Sequence, residues 1–377
     1  MLWFRDSGGG VFSGWAVRAG YSGGLEATIE IGGVAFGGAG VGRLTDGRAC
    51  FVPGTLPGER AVVRVVRSKK SYAEAEVVRL AEVSPRRVRP VCPVYGTCGG
   101  CAYQHAEYPL QLELKTAQVA DLLRRVGGLT GIDVRGAMAS PLHWGYRNRL
   151  SVHVEDGRVG FHHRKSHRIV EVAHCPLASE AVNARLAELA TAPPRGSQRV
   201  TLREDRTGAR GFSQVNDGAA DVLMEVVRGM AGAGGAHLVD AYCGAGFFAK
   251  GLRGRFAAVT GIEWSEGAVR SARAEALENE TYLAGAVEIH FAAALGKAPS
   301  AGTTLVLDPP AEGLSADAMQ VILDSCPAKI IYVSCDPATL ARDLKKLTTI
   351  CRLDHVQPVD MFPQTAEIES VALLTKS

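Results

Sequence analysis

The sequence lacks the apolar segments that membrane insertion and secretion require. None of its apolar runs approaches the ~20 residues of a membrane-spanning helix. The N-terminus, MLWFRDSGGG, has neither a continuous apolar core nor a convincing cleavage site, so it does not read as a secretory signal. The 377 residues, 46% hydrophobic and 21% charged, are typical of a globular protein with two or three domains. We therefore expect a cytoplasmic protein that does not contact membranes.

Cysteines and net charge are also limited, but both are unevenly distributed. Nine cysteines are too few for a disulfide-built scaffold, and an odd number in a cytosolic protein favours metal binding or catalysis. The net charge is only +3, yet residues 60–90 contain nine Lys or Arg against three Glu. A basic stretch of this kind suits a polyanionic partner, with a solvated surface as the alternative.

The N-terminal part predicts a small β-barrel. Residues 1–24, rich in Gly and Ser, are expected to form a flexible leader. Residues 25–82 contain about five short strands separated by glycine-bearing turns, which indicates an OB-like barrel that binds nucleic acid. Its expected basic face carries Arg64, Arg67, Lys69 and Lys70.

A cysteine motif follows the barrel. It reads CPVYGTCGGCAYQH, with Cys92, Cys98 and Cys101, and a further Cys-Pro pair begins at Cys175. Three cysteines this close, with two glycines that let the loop curl, can direct their sulfurs at one metal centre. Zinc and an iron-sulfur cluster both use four-thiolate sites, so the spacing leaves both open.

The C-terminal part alternates helices and strands, the pattern of an α/β fold with a doubly wound parallel sheet. The expected strands include AHLVDAY, AAVTGIEW, VEIHFA, TTLVLDPP and KIIYVSC. In the loop DAYCGAGFFA, Gly244 and Gly246 permit the backbone to approach a ligand. Glu263, at the end of the next strand, can accept hydrogen bonds from ribose hydroxyls. A dinucleotide-binding loop of the type G-x-G-x-x-A fits the same residues.

Cys335 lies where a predicted strand meets a predicted helix. The segment KIIYVS favours a strand, and Asp336 with Pro337 can begin a helix as its N-cap and first residue. Unpaired backbone N–H groups and the helix dipole at such a position stabilise a thiolate, which is a nucleophile. A small buried cysteine at a strand end is the alternative interpretation.

Two acids accompany Cys335. Asp308, in LDPP, ends the preceding strand at the same carboxyl edge of the sheet, where ligands bind. Glu369 interrupts the apolar strand segment AEIESVALL. A surface glutamate at a strand end is the alternative reading for Glu369. The sequence thus predicts that a carboxylate, a nucleophilic sulfur and the glycine loop meet.

These motifs together resemble the RNA uracil C5 methyltransferase family. The similarity covers roughly residues 25 to 377 and rests on the cysteine motif, GFSQVN, LVDAYCGAGFF, LDPP, VSCDPATLARDL and FPQTAEIESVALL in that order. It implies a TRAM domain of OB type at residues 25–82 and a central α+β domain with a [4Fe-4S] cluster at 83–210. It further implies a class I methyltransferase domain, dependent on S-adenosylmethionine (SAM), at 211–377.

The resemblance also implies residue roles. Cys335 would be the nucleophile, Glu369 the base and Asp308 a polar contact to the uracil. The positions that match the SAM site are Gln214, Tyr242, Glu263 and Asp308. The positions that match the cluster ligands are Cys92, Cys98, Cys101 and Cys175. In this chemistry a thiolate adds to C6 of uracil, C5 takes the methyl group, and a base removes the C5 proton.

The expected function is therefore methylation of uridine C5 in RNA. We expect 23S ribosomal RNA as the substrate, with transfer RNA as the alternative, and we predict no obligate protein partner. Two other functions remain open. An iron-sulfur redox enzyme is suggested by the cysteines and the glycine loop. An RNA-binding protein without activity is suggested by Ala311, because the family commonly has a basic residue there.

Overall fold

The computed structural model describes residues 3–5, 11–13, 26–204, 214–296 and 300–377. The chain divides into two compact units. The first contains the described residues up to Leu114, together with Phe161–Val170 and Gln364–Ala366, and the second contains the remainder. The finer division into a leader and three domains stays a prediction.

In the part of the chain that the structure describes, seven strands precede the first helix. They are β1 (Trp3–Arg5), β2 (Val11–Ser13), β3 (Glu26–Val34), β4 (Ala39–Arg43), β5 (Ala49–Pro53), β6 (Arg60–Ser68) and β7 (Tyr72–Glu82). β1 pairs antiparallel with β2. The rest of the predicted leader, residues 1–24, lies outside the described residues.

Strands β3 to β7 close into a barrel in the order β3-β4-β5-β7-β6. β5 and β7 pair in parallel, and the other neighbours pair antiparallel. Apolar side chains alternate along the strands because successive side chains point to opposite faces. Those that fill the interior are Ile29, Ile31, Leu44, Cys50, Val52, Ala61, Val63, Ala73 and Ala75. The predicted small barrel is confirmed.

The basic face predicted for the barrel is partly neutralised by ion pairs. Arg64 and Arg67 each lie 3.3 Å from a glutamate on a neighbouring strand, which offsets their charge. Lys69 and Lys70 are exposed, and neither forms an ion pair with a residue that the structure describes. These two lysines, in the turn between β6 and β7, are the cations of this set that stay available to a polyanion.

A helix and a second sheet follow the barrel. These elements are α1 (Tyr108–Arg125), β8 (Arg149–Glu155), β9 (Arg158–His162), β10 (Ile169–Glu171), α2 (Glu180–Thr191) and β11 (Gln198–Arg203). The strands form a sheet in the order β10-β9-β8-β11. α1 belongs to the first unit as far as Leu114 and to the second from Lys115.

The remaining elements build a seven-stranded sheet in the second unit. They are α3 (Asp217–Ala231), β12 (Gly235–Ala241), α4 (Phe247–Leu252), β13 (Phe256–Glu263), α5 (Glu266–Ala274), β14 (Glu280–Ala284), α6 (Val287–Leu295), β15 (Thr303–Leu307), α7 (Ala316–Ser325), β16 (Lys329–Ser334), α8 (Pro337–Leu347), β17 (Cys351–Val359) and β18 (Glu369–Lys376).

The order of this sheet is β14-β13-β12-β15-β16-β18-β17. β12 to β16 pair in parallel, and β18 runs antiparallel between β16 and β17. The chain moves outward from β12 in one direction and then in the other, so right-handed crossovers place helices on opposite faces. The order reverses between β12 and β15, and ligands bind at the carboxyl ends of such strands.

One predicted strand is a helix. VEIHFA was expected to form a strand, but residues 287–295 form α6, and the strand between α5 and α6 is β14. The buried residues of α6 are Val287, Phe291, Ala294 and Leu295, at helical spacing. Alanines and a leucine favour the helix, and one apolar stripe is enough to bury it.

The core of the second unit lies between α3, α4, α5 and the seven-stranded sheet. Leu223, Val227, Phe248 and Leu252 are among its fully or nearly fully buried residues. Among the described residues, no helix combines the length and the apolar character needed to cross a bilayer.

Candidate active site

The carboxyl ends of the parallel strands β12 to β16 lie at one edge of the seven-stranded sheet. β12, β13, β15 and β16 are parallel, so their carboxyl ends lie on this edge, and antiparallel β18 begins there. Ser334 on β16 pairs with Ser370 on β18. Cys335 and Glu369 are each one residue beyond this pair, on strands about 4.8 Å apart. Asp308 is one residue beyond Leu307, which pairs with Tyr332 on β16.

The loop between β12 and α4 opens onto the same edge. Tyr242 has a φ of 65°, Gly244 of 55° and Gly246 of 86°. A tyrosine in this left-handed region is strained, and such strain is typical of functional sites. A Cβ at Gly244 would meet no atom within 4 Å, so the backbone there faces open space. The loop therefore offers backbone groups to a ligand, as the sequence predicts.

Glu263 fixes this loop. Its carboxylate accepts a hydrogen bond from the Gly244 N–H at 3.1 Å and another from the Ser265 N–H at 2.8 Å. The side chain is 8% exposed, so the loop is tied to the end of β13. Each carboxylate oxygen has a further acceptor position. The predicted contact to ribose hydroxyls stays a prediction.

Asp240 is a buried acid that the sequence analysis missed. One carboxylate oxygen accepts the Ala249 N–H at 2.8 Å, and the other has no partner. Burial raises the pKa of Asp240 to about 8, with a smaller contribution from the carboxyls of Asp308 and Glu263. An acid inside the apolar strand segment HLVDA was the available signal. Perturbed carboxyl groups of this kind concentrate at functional sites.

Cys335 connects β16 to α8. The Asp336 carboxylate caps α8 by accepting the Ala338 N–H at 2.9 Å and the Thr339 N–H at 2.8 Å. These N–H groups are therefore not available to the sulfur. Cys335 is exposed to solvent. Partial burial of its thiol nevertheless raises the pKa to about 11, and the carboxyls of Glu369 and Asp308 contribute to this increase. The free protein thus holds a thiol here, where the sequence predicted a stabilised thiolate.

Glu369 and Asp308 share this environment. Glu369 is 8% exposed, and burial, reinforced by the nearby Asp308 carboxyl, raises its pKa well above the ordinary range. Burial also raises the pKa of Asp308, to about 7. The alternative reading of Glu369 as a surface residue is wrong because its side chain is buried. Burial and a neighbouring carboxyl both favour the protonated form of these acids in the free protein.

The loop after Asp308 is anchored to α8. The Asp343 carboxylate, 1% exposed, accepts the Leu314 N–H at 3.0 Å and the Tyr332 hydroxyl at 2.7 Å. Arg342 donates to the Glu312 carbonyl at 2.8 Å. The strand before Cys335, the helix after it and the loop after Asp308 are thereby held together. Asp343 was not predicted from the sequence, although an acid on the apolar face of an amphipathic helix was a usable signal.

Gln214 precedes α3. Its backbone carbonyl accepts a hydrogen bond from the Asn148 side chain at 2.6 Å. Asn216 caps α3 and donates to the Met361 carbonyl at 3.0 Å, in the segment that leads to β18. The predicted role of the Gln214 side chain at the SAM site stays a prediction.

The role of the predicted cluster ligands stays a prediction. All four cysteines are of intermediate exposure: Cys92, Cys98, Cys101 and Cys175. Within the described part of the chain, no group of three or more His, Cys, Asp or Glu side chains lies close enough to hold a metal ion. One feature of the motif suits a polar ligand, since buried Gln104 accepts the Cys92 N–H at 3.0 Å and leaves its own amide nitrogen without a partner.

Two family models match the chain. A TRAM domain model matches residues 24–78, and a tRNA (Uracil-5-)-methyltransferase model matches residues 299–377. The first match covers the barrel except the end of β7, and the second covers β15 to β18. Cys335, Glu369 and Asp308 all lie within the second match.

Relatives match nearly the whole chain. An uncharacterized RNA methyltransferase of Gloeobacter violaceus is 32% identical, with 94% of this chain and 97% of the relative covered. Another from Bdellovibrio bacteriovorus is 34% identical, with 93% and 95% covered. A solved structure, tRNA (uracil-54, C5)-methyltransferase of Pyrococcus abyssi in complex with S-adenosyl-L-homocysteine, has a TM-score of 0.67 at 23% identity. It covers 92% of this chain and 100% of its own, and it supports the class I methyltransferase fold.

Proposed function

The chain belongs to the RNA uracil C5 methyltransferase family, and from that premise we propose that it methylates C5 of uridine in RNA with SAM as the methyl donor. The observation that carries the proposal is the convergence of Cys335, Glu369 and Asp308 on the sheet edge that also bears the β12–α4 loop. A nucleophile and a base are the two groups that this substitution needs.

Cys335 acts first. Uracil C5 is too weakly nucleophilic to take a methyl group directly. The Cys335 sulfur therefore forms a bond to C6, the C5=C6 double bond opens, and C5 gains the electron density of an enolate. Because the thiol pKa is raised to about 11, a neighbouring carboxylate must accept its proton as the sulfur attacks. The pKa of Asp308 is raised to about 7 and stays below that of the thiol, so its carboxylate can take this role.

Glu369 acts last. When bound, SAM would supply an electrophilic methyl group, whose bond to the sulfonium sulfur would break as the bond to C5 forms, leaving S-adenosyl-L-homocysteine. C5 then carries both a methyl group and a proton, so the carboxylate of Glu369 removes the proton. The electrons of the C–H bond restore the C5=C6 double bond, and the bond from C6 to the Cys335 sulfur breaks. The products are the methylated uracil, S-adenosyl-L-homocysteine and the Cys335 thiolate, which takes its proton back from Asp308.

The residues around the β12–α4 loop suit the cofactor. Asp240 keeps one buried carboxylate oxygen without a partner, and the open backbone at Gly244 leaves room for a ligand. We assign Tyr242, Gly244, Glu263, Asp308 and Gln214 to SAM binding. The bound S-adenosyl-L-homocysteine of the Pyrococcus abyssi structure supports a cofactor of this class.

The RNA substrate is supported by the barrel, which matches a TRAM domain. We retain 23S ribosomal RNA as the proposed substrate. Transfer RNA is the alternative, and the names of the matching family model and of the Pyrococcus abyssi protein favour it. A target uridine in folded RNA must leave its stack to reach the buried acids.

The [4Fe-4S] cluster remains a proposal from the cysteine pattern alone. Its ligands would be Cys92, Cys98, Cys101 and Cys175, and no step of the mechanism uses it. Iron and acid-labile sulfide analysis of the anaerobically purified chain tests it. About four of each per chain, with the broad visible absorption of a cluster, is the expected result. A colourless protein without iron excludes the cluster.

Nucleoside mass spectrometry tests the proposed function. Ribosomal and transfer RNA from cells with and without the protein are digested, and 5-methyluridine is quantified in each fraction. Loss from one fraction identifies the substrate class. The gene for Cys335→Ala should fail to restore the modification, whereas Cys326→Ala, a control at the end of α7, should restore it. Full activity of Cys335→Ala, or unchanged 5-methyluridine in both fractions, contradicts the proposal.

A further inference from the structure

Lys115 on α1 is a buried cation that the mechanism does not use. Its side chain is 0% exposed, and its ammonium group has three acceptors. Nζ lies 2.6 Å from the Asp360 carboxylate, 3.1 Å from the Phe362 carbonyl and 2.8 Å from the Glu367 carbonyl. An ammonium group has three hydrogens to donate, so Lys115 is fully satisfied.

All three acceptors lie in one segment, the connection between β17 and β18. Asp360 directly follows Val359, and Val359 pairs with Glu369 in the sheet. Glu367 comes two residues before Glu369. Lys115 therefore binds the beginning and the end of the connection at once. Since these two ends flank the Val359–Glu369 pair, the lysine fixes where β18 begins.

Other side chains bind the same connection from outside. Asn216 donates to the Met361 carbonyl at 3.0 Å, and the Tyr146 hydroxyl donates to the Pro363 carbonyl at 3.0 Å. The guanidinium of Arg147 lies 5.5 Å from the centre of the Phe362 ring. Asn216 and Tyr146 each reach one residue of the connection, whereas Arg147 also lies 3.9 Å from the Glu367 carboxylate. Lys115 differs because its contacts are hydrogen bonds of a fully buried ammonium group, and they join residues seven positions apart.

The buried Asp360 carboxylate explains why the donor on α1 is a charged lysine. Its side chain is 0% exposed, and its backbone N–H donates to the Met138 carbonyl at 2.9 Å. Its second carboxylate oxygen has no partner. A buried carboxylate in this position needs a cation, and its pairing with Lys115 has one well-defined geometry. A neutral donor would leave the connection free to adopt others.

We propose that Lys115 is a positioning residue for the base of the reaction: by binding both ends of the β17–β18 connection, it holds the Glu369 carboxyl where it can remove the C5 proton. This inference rests on the proposed function. The Cys335 sulfur is carried by β16 and α8 and does not depend on the connection. Loss of the lysine should therefore slow proton removal and leave sulfur addition intact.

The test compares Lys115→Met with Lys329→Met. Lys329 is a matched control because its Nζ also donates to a backbone carbonyl, that of Ala231 at 2.8 Å, at the opposite end of β16. Each purified variant is assayed on substrate RNA containing uridine or [5-²H]uridine. For Lys115→Met we expect kcat to fall about 100-fold, the loss typical of a misplaced catalytic group, with little change in KM. A primary isotope effect on kcat should appear or increase, and the covalent enzyme–RNA adduct should accumulate in denaturing gels.

Lys329→Met should show the wild-type isotope effect and no adduct. Lys115→Met with slow turnover but a wild-type isotope effect and no adduct would overturn the proposal, because a general loss of folded protein lowers the rate without changing the slow step. If Lys115→Met does not fold, Asp360→Asn, which keeps the acceptor oxygen, serves in its place with the same two outcomes. An inactive wild type, or an active Cys335→Ala, would refute the proposed function separately.

Discussion

The Tyr332 hydroxyl donates to the Asp343 carboxylate at 2.7 Å, and this bond joins the strand that ends at Cys335 to the helix that follows it. The same carboxylate oxygen accepts the Leu314 N–H, so the loop after Asp308 depends on the same group. The buried Asp343 carboxylate thus links the strand that leads to Cys335 with the loop that follows Asp308.

Replacing this acid should affect stability and activity together. In Asp343→Ala, the Tyr332 hydroxyl and the Leu314 N–H lose their buried acceptor, which costs about 1–3 kcal/mol each. We expect the free energy of unfolding to fall by roughly 3 kcal/mol, and methyl transfer to fall at temperatures where the variant remains folded. Asp317→Ala, an exposed acid in the first turn of α7, is the control and should change neither. Denaturant titration and turnover assays measure the two effects.

Gly313 allows the loop after Asp308 to approach α8. It has a φ of +79°, and a Cβ there would lie 2.3 Å from a Thr339 methyl carbon and 2.5 Å from the Asp343 carboxylate. Gly131 has a similar φ of +71° but open space around it. Gly131→Ala should cost only the backbone strain, about 1 kcal/mol. Gly313→Ala should cost clearly more and lower kcat, as measured by thermal melts and single-turnover assays. Equal effects of the two substitutions would refute the close approach.

The buried Asp240 should make stability depend on pH. Its pKa is about 8 in the folded chain and about 3.9 in the unfolded chain. Between these values the unfolded chain releases a proton that the folded chain keeps, so the free energy of unfolding falls as pH rises, by up to about 1.4 kcal/mol per pH unit from this group. Asp240→Asn keeps an acceptor for the Ala249 N–H, and because it cannot ionise, its stability does not fall with pH through this group. Its advantage over the wild type should grow from pH 5 to pH 8 in urea titrations; parallel curves would contradict the assignment.

Alkylation of Cys335 should report the raised thiol pKa. With a pKa of about 11, the thiolate fraction at pH 7 to 9 rises about tenfold per pH unit. Iodoacetamide labelling, quantified on the Cys335 peptide by mass spectrometry, should follow this slope. Glu369→Gln removes a negative charge that raises the pKa, so labelling at pH 9 should be faster. A labelling rate that is already constant above pH 7 would show a stabilised thiolate.

A buried ion pair supports the barrel. Glu59 is 0% exposed, accepts the Leu56 N–H at 2.8 Å and binds Arg87 through both carboxylate oxygens, at 2.6 and 2.7 Å. Glu59→Gln leaves the guanidinium without its anion and should cost roughly 3–5 kcal/mol. Glu82→Gln breaks an exposed pair with Arg60 at 3.4 Å in the same barrel and should cost about 1 kcal/mol or less. Denaturant titration of the two variants, followed by an RNA-binding assay, distinguishes the loss of the buried ion pair from the loss of the exposed one.

Much of this architecture could be predicted because local patterns specify it. Apolar runs and turn residues located β12, β13, β15 and β16, and Asp336 with Pro337 correctly predicted the start of α8. The placement of Cys335 and Asp308 at one edge followed from the parallel order of their strands. The segment at 287–295 was misread because Val, Ile and Phe favour strands, whereas its burial pattern is helical.

The remaining features depend on contacts between residues far apart in the chain. The ion pair of Lys115 with Asp360 joins positions 245 apart, and nothing local to either residue indicates its partner. The raised pKa of Cys335 likewise arises from burial and from carboxyls on two other strands. Local sequence correctly suggested that the helix start favours a thiolate, but it could not show that the Asp336 side chain occupies the N–H groups.

The position of β18 between β16 and β17 has a consequence for how the protein is made. Both neighbours precede β18 in the chain, and among the described strands β17 is joined to the rest of the sheet only through β18. The same strand therefore completes the sheet and carries Glu369 to the edge that bears Cys335. Synthesis produces the nucleophile before the base, so a chain that ended before β18 would lack both its outer strand pairing and the base that the proposed reaction needs to release RNA bound through Cys335.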